Sequence, residues 1–465
     1  MCYYNFPKDF VWGTATASYQ IEGAADEDGR GLSIWDTFCN IPGKVKNNDS
    51  GKNACNHYHL YKNDIQLMKE IGLKAYRFSI SWPRIFPEGE GNHNLKGIDF
   101  YNKLIDGLLE AEITPYVTLF HWDLPQNLED KYGGWRSKEV SKLFGDYSAF
   151  IAEKFSDRVE NWFTINEIRG FTSHSFRLGR HAPGKIEPEK VVNQTIHNAL
   201  LGHGLAVNAI RAHAKLKPNI GIVENFDTTW PVIDTEENII AAKTAWKHLN
   251  DFILFPLFRG KYDEIYLSRV GGDVPAYTDV EMKIISTPCD FIGYNYYAGA
   301  PVRARIFPKE SSDKLKMNGI EIDDSTYEIL EYSEDFPRTY LKWPITPKSL
   351  YYALKWSKEE FGDIPIYITE NGMAGEDKET ENREVIDLSR IEYIREHLEM
   401  LHKAIQAGCN IKGYFLWSLM DNFEWSHGYS QRFGIFKVNY STFERYLKYS
   451  GEYYKNIIKE NSLGY

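Results

Sequence analysis

Apolar residues follow two rhythms along this chain. Short unbroken runs rich in β-branched and aromatic residues recur eight times, at 10–17, 75–80, 115–120, 159–166, 220–223, 291–294, 364–369 and 411–417. Most are separated by longer stretches with apolar positions at helical spacing, plainest over 58–71, where Ile65, Met68 and Ile71 share a face. A run that is apolar at every position suits a strand covered on both faces, as in a parallel sheet wrapped by helices. Strands alternating with helices predict an α/β fold of the (β/α)8, or TIM barrel, type.

The runs are asymmetric. Each begins blandly and ends on polar or aromatic side chains: His121-Trp122-Asp123 after the third, Asn166-Glu167 after the fourth, Glu224-Asn225 near the end of the fifth, Asn295-Tyr296-Tyr297 after the sixth and Glu370-Asn371-Gly372 after the seventh. A barrel whose active site sits at the C-terminal ends of its strands has this signature. Between the sixth and seventh runs, 303–344 is polar with little periodicity, and is expected to be an irregular functional loop on the cleft rim. No linker, repeat or low-complexity segment divides the chain, so 1–465 reads as a single catalytic domain with long loops after its strands.

Two of those endings match each other. Glu167 and Glu370 each close an apolar strand and each stand beside an asparagine. Glycoside cleavage with retention requires such a pair, one carboxylate kept ionised as nucleophile and one kept protonated as acid, about 5 Å apart. On a closed barrel, strands four and seven are expected to face each other across the interior. Arg77, on the second strand, and the phenol of Tyr297 would lower the pKa of a nucleophile beside them. A less solvated Glu167 would keep its proton near neutral pH. Each of these residues also has a plain structural reading: a strand-end carboxylate in an ion pair, or a core arginine serving one.

Charge and composition narrow the classes. A net charge of −11 argues against nucleic acid as a partner and leaves a neutral small molecule as the better fit. Aromatic residues make up 15% of the chain, with 12 Trp and 31 Tyr, and their flat faces with polar edges suit sugar rings as well as core packing. The five cysteines are scattered without CxxC spacing, so free thiols in a reducing compartment are expected, with neither zinc site nor disulfide framework. His57, His59, His197 and His203 lack metal-ligand spacing and read as core or surface histidines. No P-loop, G-x-G-x-x-G or G-x-S-x-G element is present, which leaves nucleotide use and serine-hydrolase chemistry without support. An N-terminus without an apolar leader, and no apolar run long enough to span a bilayer, predict a cytoplasmic protein off the membrane, though a trimmed secreted form would look the same.

Longer motifs carry a resemblance. Phe6-Pro7-Lys8-Asp9-Phe10-Val11-Trp12-Gly13 through Gln20-Ile21-Glu22-Gly23, then Thr164-Ile165-Asn166-Glu167, Ile368-Thr369-Glu370-Asn371-Gly372 and Trp417-Ser418-Leu419-Met420-Asp421-Asn422-Phe423-Glu424-Trp425, resemble glycoside hydrolase family 1, the β-glucosidase family, over essentially the whole chain. The resemblance implies that Glu167 is the acid/base and Glu370 the nucleophile, with no metal or organic cofactor. It implies sugar contacts from Gln20, His121, Trp122, Asn166, Trp417, Glu424 and Trp425, with Asn295 and Tyr297 bracing the nucleophile and Trp343 on the rim. Glu424-Trp425 matches a pocket for an unphosphorylated sugar, since a carboxylate would repel a 6-phosphate.

Two departures stand out. The usual Asn-Glu-Pro is here Asn166-Glu167-Ile168, and Trp343-Pro344 stands where Trp is usually followed by an acidic residue. The implied activity is retaining hydrolysis of terminal β-D-glucosides, cello-oligosaccharides such as cellobiose included. A β-galactosidase or β-fucosidase, a transglycosylase and a non-catalytic sugar-binding protein remain as alternatives. Aglycone preference and oligomeric state stay open, a homo-oligomer included.

Overall fold

The computed structural model describes residues 3–305, 315–317, 320–322 and 326–464. All eight expected strands are present. They are β1 Val11–Ala15, β2 Ala75–Ser79, β3 Thr114–Phe120, β4 Asn161–Asn166, β5 Asn219–Glu224, β6 Phe291–Tyr296, β7 Ile366–Asn371 and β8 Ile411–Trp417. Each pairs in parallel with its sequence neighbours, and β8 pairs with β1, so the sheet closes into a barrel in chain order. β2, β6 and β7 are buried along their whole length, Arg77, Asn295 and Glu370 included, as strands covered on both faces are.

Two cores follow from closure. Inside the barrel, Tyr116, Phe163, Phe291, Tyr367 and Phe415 fill the lumen with aromatic rings. Glycine on neighbouring strands makes room for them: a Cβ at Gly221 would lie 2.3 Å from the Phe291 ring, and one at Gly13 2.5 Å from the Phe415 ring. The larger core lies between strands and helices. Helix Leu95–Glu110 shows how it is built. Asn94 caps it by accepting the Lys96 N–H at 3.2 Å, and Ile98, Tyr101, Leu104, Ile105 and Leu108 form its buried stripe. No described helix is long and apolar enough to cross a membrane.

The stretch 303–344 departs from expectation where it is described. Strand Gly299–Ala304 continues into it and pairs antiparallel with Tyr327–Ile329 and parallel with Thr228–Pro231, making a three-stranded sheet beside the barrel. Regular pairing thus replaces part of the expected irregular loop, and Arg303 and Glu328, opposite each other, form an ion pair at 2.7 Å across the two strands. Residues 306–314, 318–319 and 323–325 of the expected rim lie outside the described residues.

Candidate active site

Glu370 occupies the C-terminal end of β7 and is held on both carboxylate oxygens. Arg77, reaching in from β2, donates from Nη1 to Oε1 at 2.7 Å, and the Tyr297 hydroxyl donates to Oε2 at 2.7 Å. The guanidinium is itself fixed, with Nη2 donating to Asn166 Oδ1 at 2.6 Å and Nε to Thr118 Oγ1 at 3.2 Å. Burial pushes the Glu370 carboxyl above the usual carboxylate range, and the charge of Arg77 and the bond from Tyr297 pull it back. The lowering expected from these two residues is therefore present, with burial outweighing it.

Glu167 follows β4 and turns the chain into helix Ile168–Thr172. Its backbone takes the left-handed conformation, φ 54°, ψ 68°, uncommon for a residue with a Cβ. Its N–H donates to the Val223 carbonyl at 2.8 Å, which ties the turn to β5. The carboxylate accepts a bond from Asn295 Nδ2 at 2.7 Å. Burial first, and then the negative charge of Glu370, push Glu167 well above the usual range. A difference in solvation does not separate the two glutamates, contrary to expectation: Glu167 is 6% exposed and Glu370 4%. The cation beside Glu370 separates them.

The pair meets through shared amides. Asn295 Nδ2 also donates to Asn166 Oδ1 at 3.1 Å, and the amide lies near enough to Glu370 to lower its pKa. Thr369 Oγ1 donates to Asn295 Oδ1 at 2.7 Å, which settles the orientation of that amide. The two carboxylates thus flank one amide and are near enough for the charge of Glu370 to raise the pKa of Glu167. β4 and β7 are three places apart around the barrel and not diametrically opposed, so the two glutamates converge on one side of the mouth.

The surrounding wall gathers the other candidates. Gln20 Nε2 donates to the Phe423 carbonyl at 2.8 Å, to Asn422 Oδ1 at 3.1 Å and to Glu424 Oε2 at 3.5 Å, while its Oε1 is buried without a protein partner. Asn166 Nδ2 lies 3.1 Å from His121 Nε2. Since the oxygen of that amide already accepts from Arg77, Nε2 is the acceptor, and the ring proton is left on Nδ1, which is buried and unpartnered. Burial holds His121 well below its ordinary value, hence neutral. Burial and then Glu370 push Glu424 up to about 8.

The indoles form one surface. Trp122 donates from Nε1 to the Asn166 carbonyl at 2.9 Å and packs on Trp425 with ring centres 4.7 Å apart. His121 stacks between Trp417 and Trp425, at 5.9 and 6.0 Å. Trp122 and Trp425 are also left-handed, with φ 75° and 47°. Trp343 stands edge-on to Tyr297 at 5.3 Å, on the nucleophile side of the rim. Tyr19 and Trp35, which pack on Trp425 at 6.3 and 4.7 Å, were missed in the sequence because they read as ordinary core aromatics. Glu224 and Arg169, behind Glu167, were missed as site residues too, although Glu224-Asn225 repeats the acid-beside-amide ending of β4 and β7.

Of the histidines set aside earlier three serve the core, with His57 bonding Asp64 at 2.7 Å, His203 bonding Thr164 at 2.7 Å and His197 bonding Tyr262 at 2.9 Å, while His59 lies at the surface 3.0 Å from Glu27. Cys39, Cys55, Cys289 and Cys409 are free.

Comparison with known proteins gives the family and agrees with the fold. The family profile described as Glycosyl hydrolase family 1 matches residues 2–463. The chain is 44% identical to beta-glucosidase A of Thermotoga maritima, over 99% of both chains, and 43% identical to beta-glucosidase A of Acetivibrio thermocellus, over 98% of this chain and 99% of that one. A solved structure of the family 1 β-glucosidase from Thermotoga maritima superposes with a TM-score of 0.90 at 43% identity, covering 100% of both chains. Another, of the Thermotoga maritima β-glucosidase in complex with glucoimidazole, has a TM-score of 0.89 at 44% identity and covers 99% of this chain and 100% of that one.

Proposed function

This chain belongs to glycosyl hydrolase family 1, and from that premise we propose that it is a retaining β-glucosidase that releases terminal β-D-glucosyl residues from aryl or alkyl glucosides and from cello-oligosaccharides, cellobiose among them. One catalytic domain, 1–465, carries the activity. In the first step Glu370 attacks the anomeric carbon while Glu167 gives its proton to the departing glycosidic oxygen, leaving a glucosyl unit joined to Glu370 through an α-linked ester. In the second step Glu167, now ionised, takes a proton from water, which displaces Glu370 and restores the β configuration.

The observation that carries this reading is the unequal treatment of two equally buried carboxylates. Arg77 and Tyr297 bond the charge on Glu370, whereas Glu167 has a single amide donor and faces the negative charge of Glu370. The shared proton therefore belongs on Glu167. Gln20 Oε1 and the Nδ1–H of His121 offer an acceptor and a donor to sugar hydroxyls, and the indoles of Trp417 and Trp425 offer faces to the ring's C–H groups. Glu424, protonated in the empty cleft near neutral pH, has room to ionise when hydroxyls donate to it, and its charge then disfavours a phosphorylated sugar. Free thiols at Cys39, Cys55, Cys289 and Cys409 support a reducing, cytoplasmic setting.

The test is a panel of 4-nitrophenyl β-glucoside, β-galactoside and β-fucoside with cellobiose and cellotriose, followed by mass spectrometry and by NMR of the first-formed anomer. β-Glucose as the first product, with the highest kcat/KM on the glucoside, is expected. A higher kcat/KM on the galactoside or fucoside transfers the assignment to that sugar, and an α-anomer formed first rules out double displacement.

A further inference from the structure

Behind the acid/base lies a third buried carboxylate that the two chemical steps do not use. Glu224, the last residue of β5, is 1% exposed. Its Oε2 accepts the backbone N–H of Arg169 at 3.4 Å, its Oε1 accepts that of Asn225 at 3.1 Å, and the N–H of Ile168 is also bonded to it. Ile168 and Arg169 are the first two residues of the helix that begins at Glu167. The opening N–H groups of a helix need acceptors, normally supplied by the side chain just before it. Here that side chain is Glu167, which makes no capping bond because its carboxylate is turned to Asn295.

We propose that Glu224 is a positioning residue for Glu167: its carboxylate caps the helix in place of Glu167 and stands directly behind the acid/base, so that Glu167 is free to face the cleft. The inference rests on the assignment of Glu167 as the acid. The residue at 168 fits the role, since isoleucine supplies an N–H to Glu224 that a proline there would lack.

The charges around the pair are specific. Facing Glu167 are Glu370 from β7, Arg77 from β2, Tyr297 beyond β6, Glu224 from β5 and Arg169 from its own helix. Facing Glu224 is Arg169, whose guanidinium is ion-paired with Asp227 and bonded to Asn250 Oδ1 at 3.3 Å, with Arg177 and the Tyr294 phenol further out. Burial lifts Glu224 to about 7, against the pull of Arg169 and of the backbone N–H groups, so it carries charge at the upper end of the working range. A negative charge there raises the pKa of Glu167. Proton loss from Glu167 is what ends activity at high pH, so that limb moves upward while Glu224 is ionised.

The experiment is the pH profile of kcat/KM for Glu224→Gln, which keeps an acceptor for the helix and drops the charge. On 4-nitrophenyl β-glucoside the alkaline limb is expected to move to lower pH by about half a unit or more, with the acid limb unmoved. On 2,4-dinitrophenyl β-glucoside, whose leaving group needs no proton, the rate at neutral pH should fall less than about twofold. An alkaline limb in its original place overturns the proposal. Should the Gln variant not fold, Ile168→Pro removes one donor to the Glu224 charge, and its alkaline limb must move in the same direction; an unmoved limb overturns the proposal equally. The profile of Glu167→Ala separates the two readings: persistence of the alkaline limb there removes Glu167 as the acid, whatever Glu224 does.

Discussion

The two ends of the catalytic pair are built differently although they are equally shut away from water. The Glu370 end is a strand terminus clamped by side chains from other strands, with Arg77 from β2 and Tyr297 just beyond β6 each bonding one oxygen at 2.7 Å. The Glu167 end is a turn between a strand and a helix, held chiefly by backbone, with one amide on the carboxylate. Burial alone raises both pKa values, so desolvation cannot assign the roles. What assigns them is the placement of one guanidinium.

That contrast is broken hardest by deleting the clamped carboxylate. Glu370→Ala should lower hydrolysis of 4-nitrophenyl β-glucoside by about 10⁴-fold or more, because the covalent step has no substitute nucleophile. Steady-state rates, with circular dichroism as a check on folding, measure it; activity within tenfold of the parent would remove Glu370 from the role.

Deleting the other carboxylate should give a smaller loss that depends on the leaving group. Glu167→Ala is expected to fall by about 10²–10⁴-fold on a phenyl glucoside and far less in the glycosylation of a dinitrophenyl glucoside. Added azide should restore turnover and yield a β-glucosyl azide, read by NMR. An α-azide, or no dependence on leaving group, would contradict the assignment.

The smallest effect sharpens the comparison. Tyr297→Phe removes a donor that favours the ionised form of Glu370, so the Glu370 pKa rises further. Glu370 must be ionised to attack, hence the acid limb of the kcat/KM profile should move to higher pH, with kcat down by about tenfold. The alkaline limb, which reports Glu167, should stay where it is or rise slightly.

Legibility followed the same divide. The eight strands could be read because each is a short run dominated by apolar, β-branched and aromatic residues, and Glu370 could be placed because it sits at the end of such a run, whereas the role of Asn295 came from the family resemblance. The spatial relation of β4 and β7 was legible too, since a ring of eight strands in chain order sets the fourth opposite the eighth and three places from the seventh, so the expectation that β4 and β7 face each other across the interior miscounts the ring. The capping role of Glu224 was not legible. A polar residue at a strand end has the same local pattern whether it faces the cleft or the N-terminus of a neighbouring helix, and only the left-handed turn at Glu167 decides which. Arg169 could not be read as a site residue either, because its pairing with Asp227 joins a short helix to a loop distant in sequence.

The left-handed turns at Trp122, Glu167 and Trp425 carry a cost. Conformations of this kind are disfavoured by about 1–3 kcal/mol for each residue with a side chain, and they persist only where surrounding packing enforces them. The rim of the cleft is thus cocked against its own backbone preference, with the barrel as the frame that keeps it so. Warming should let those turns relax before the strands part, and catalysis should fade while the circular dichroism of the fold is still intact.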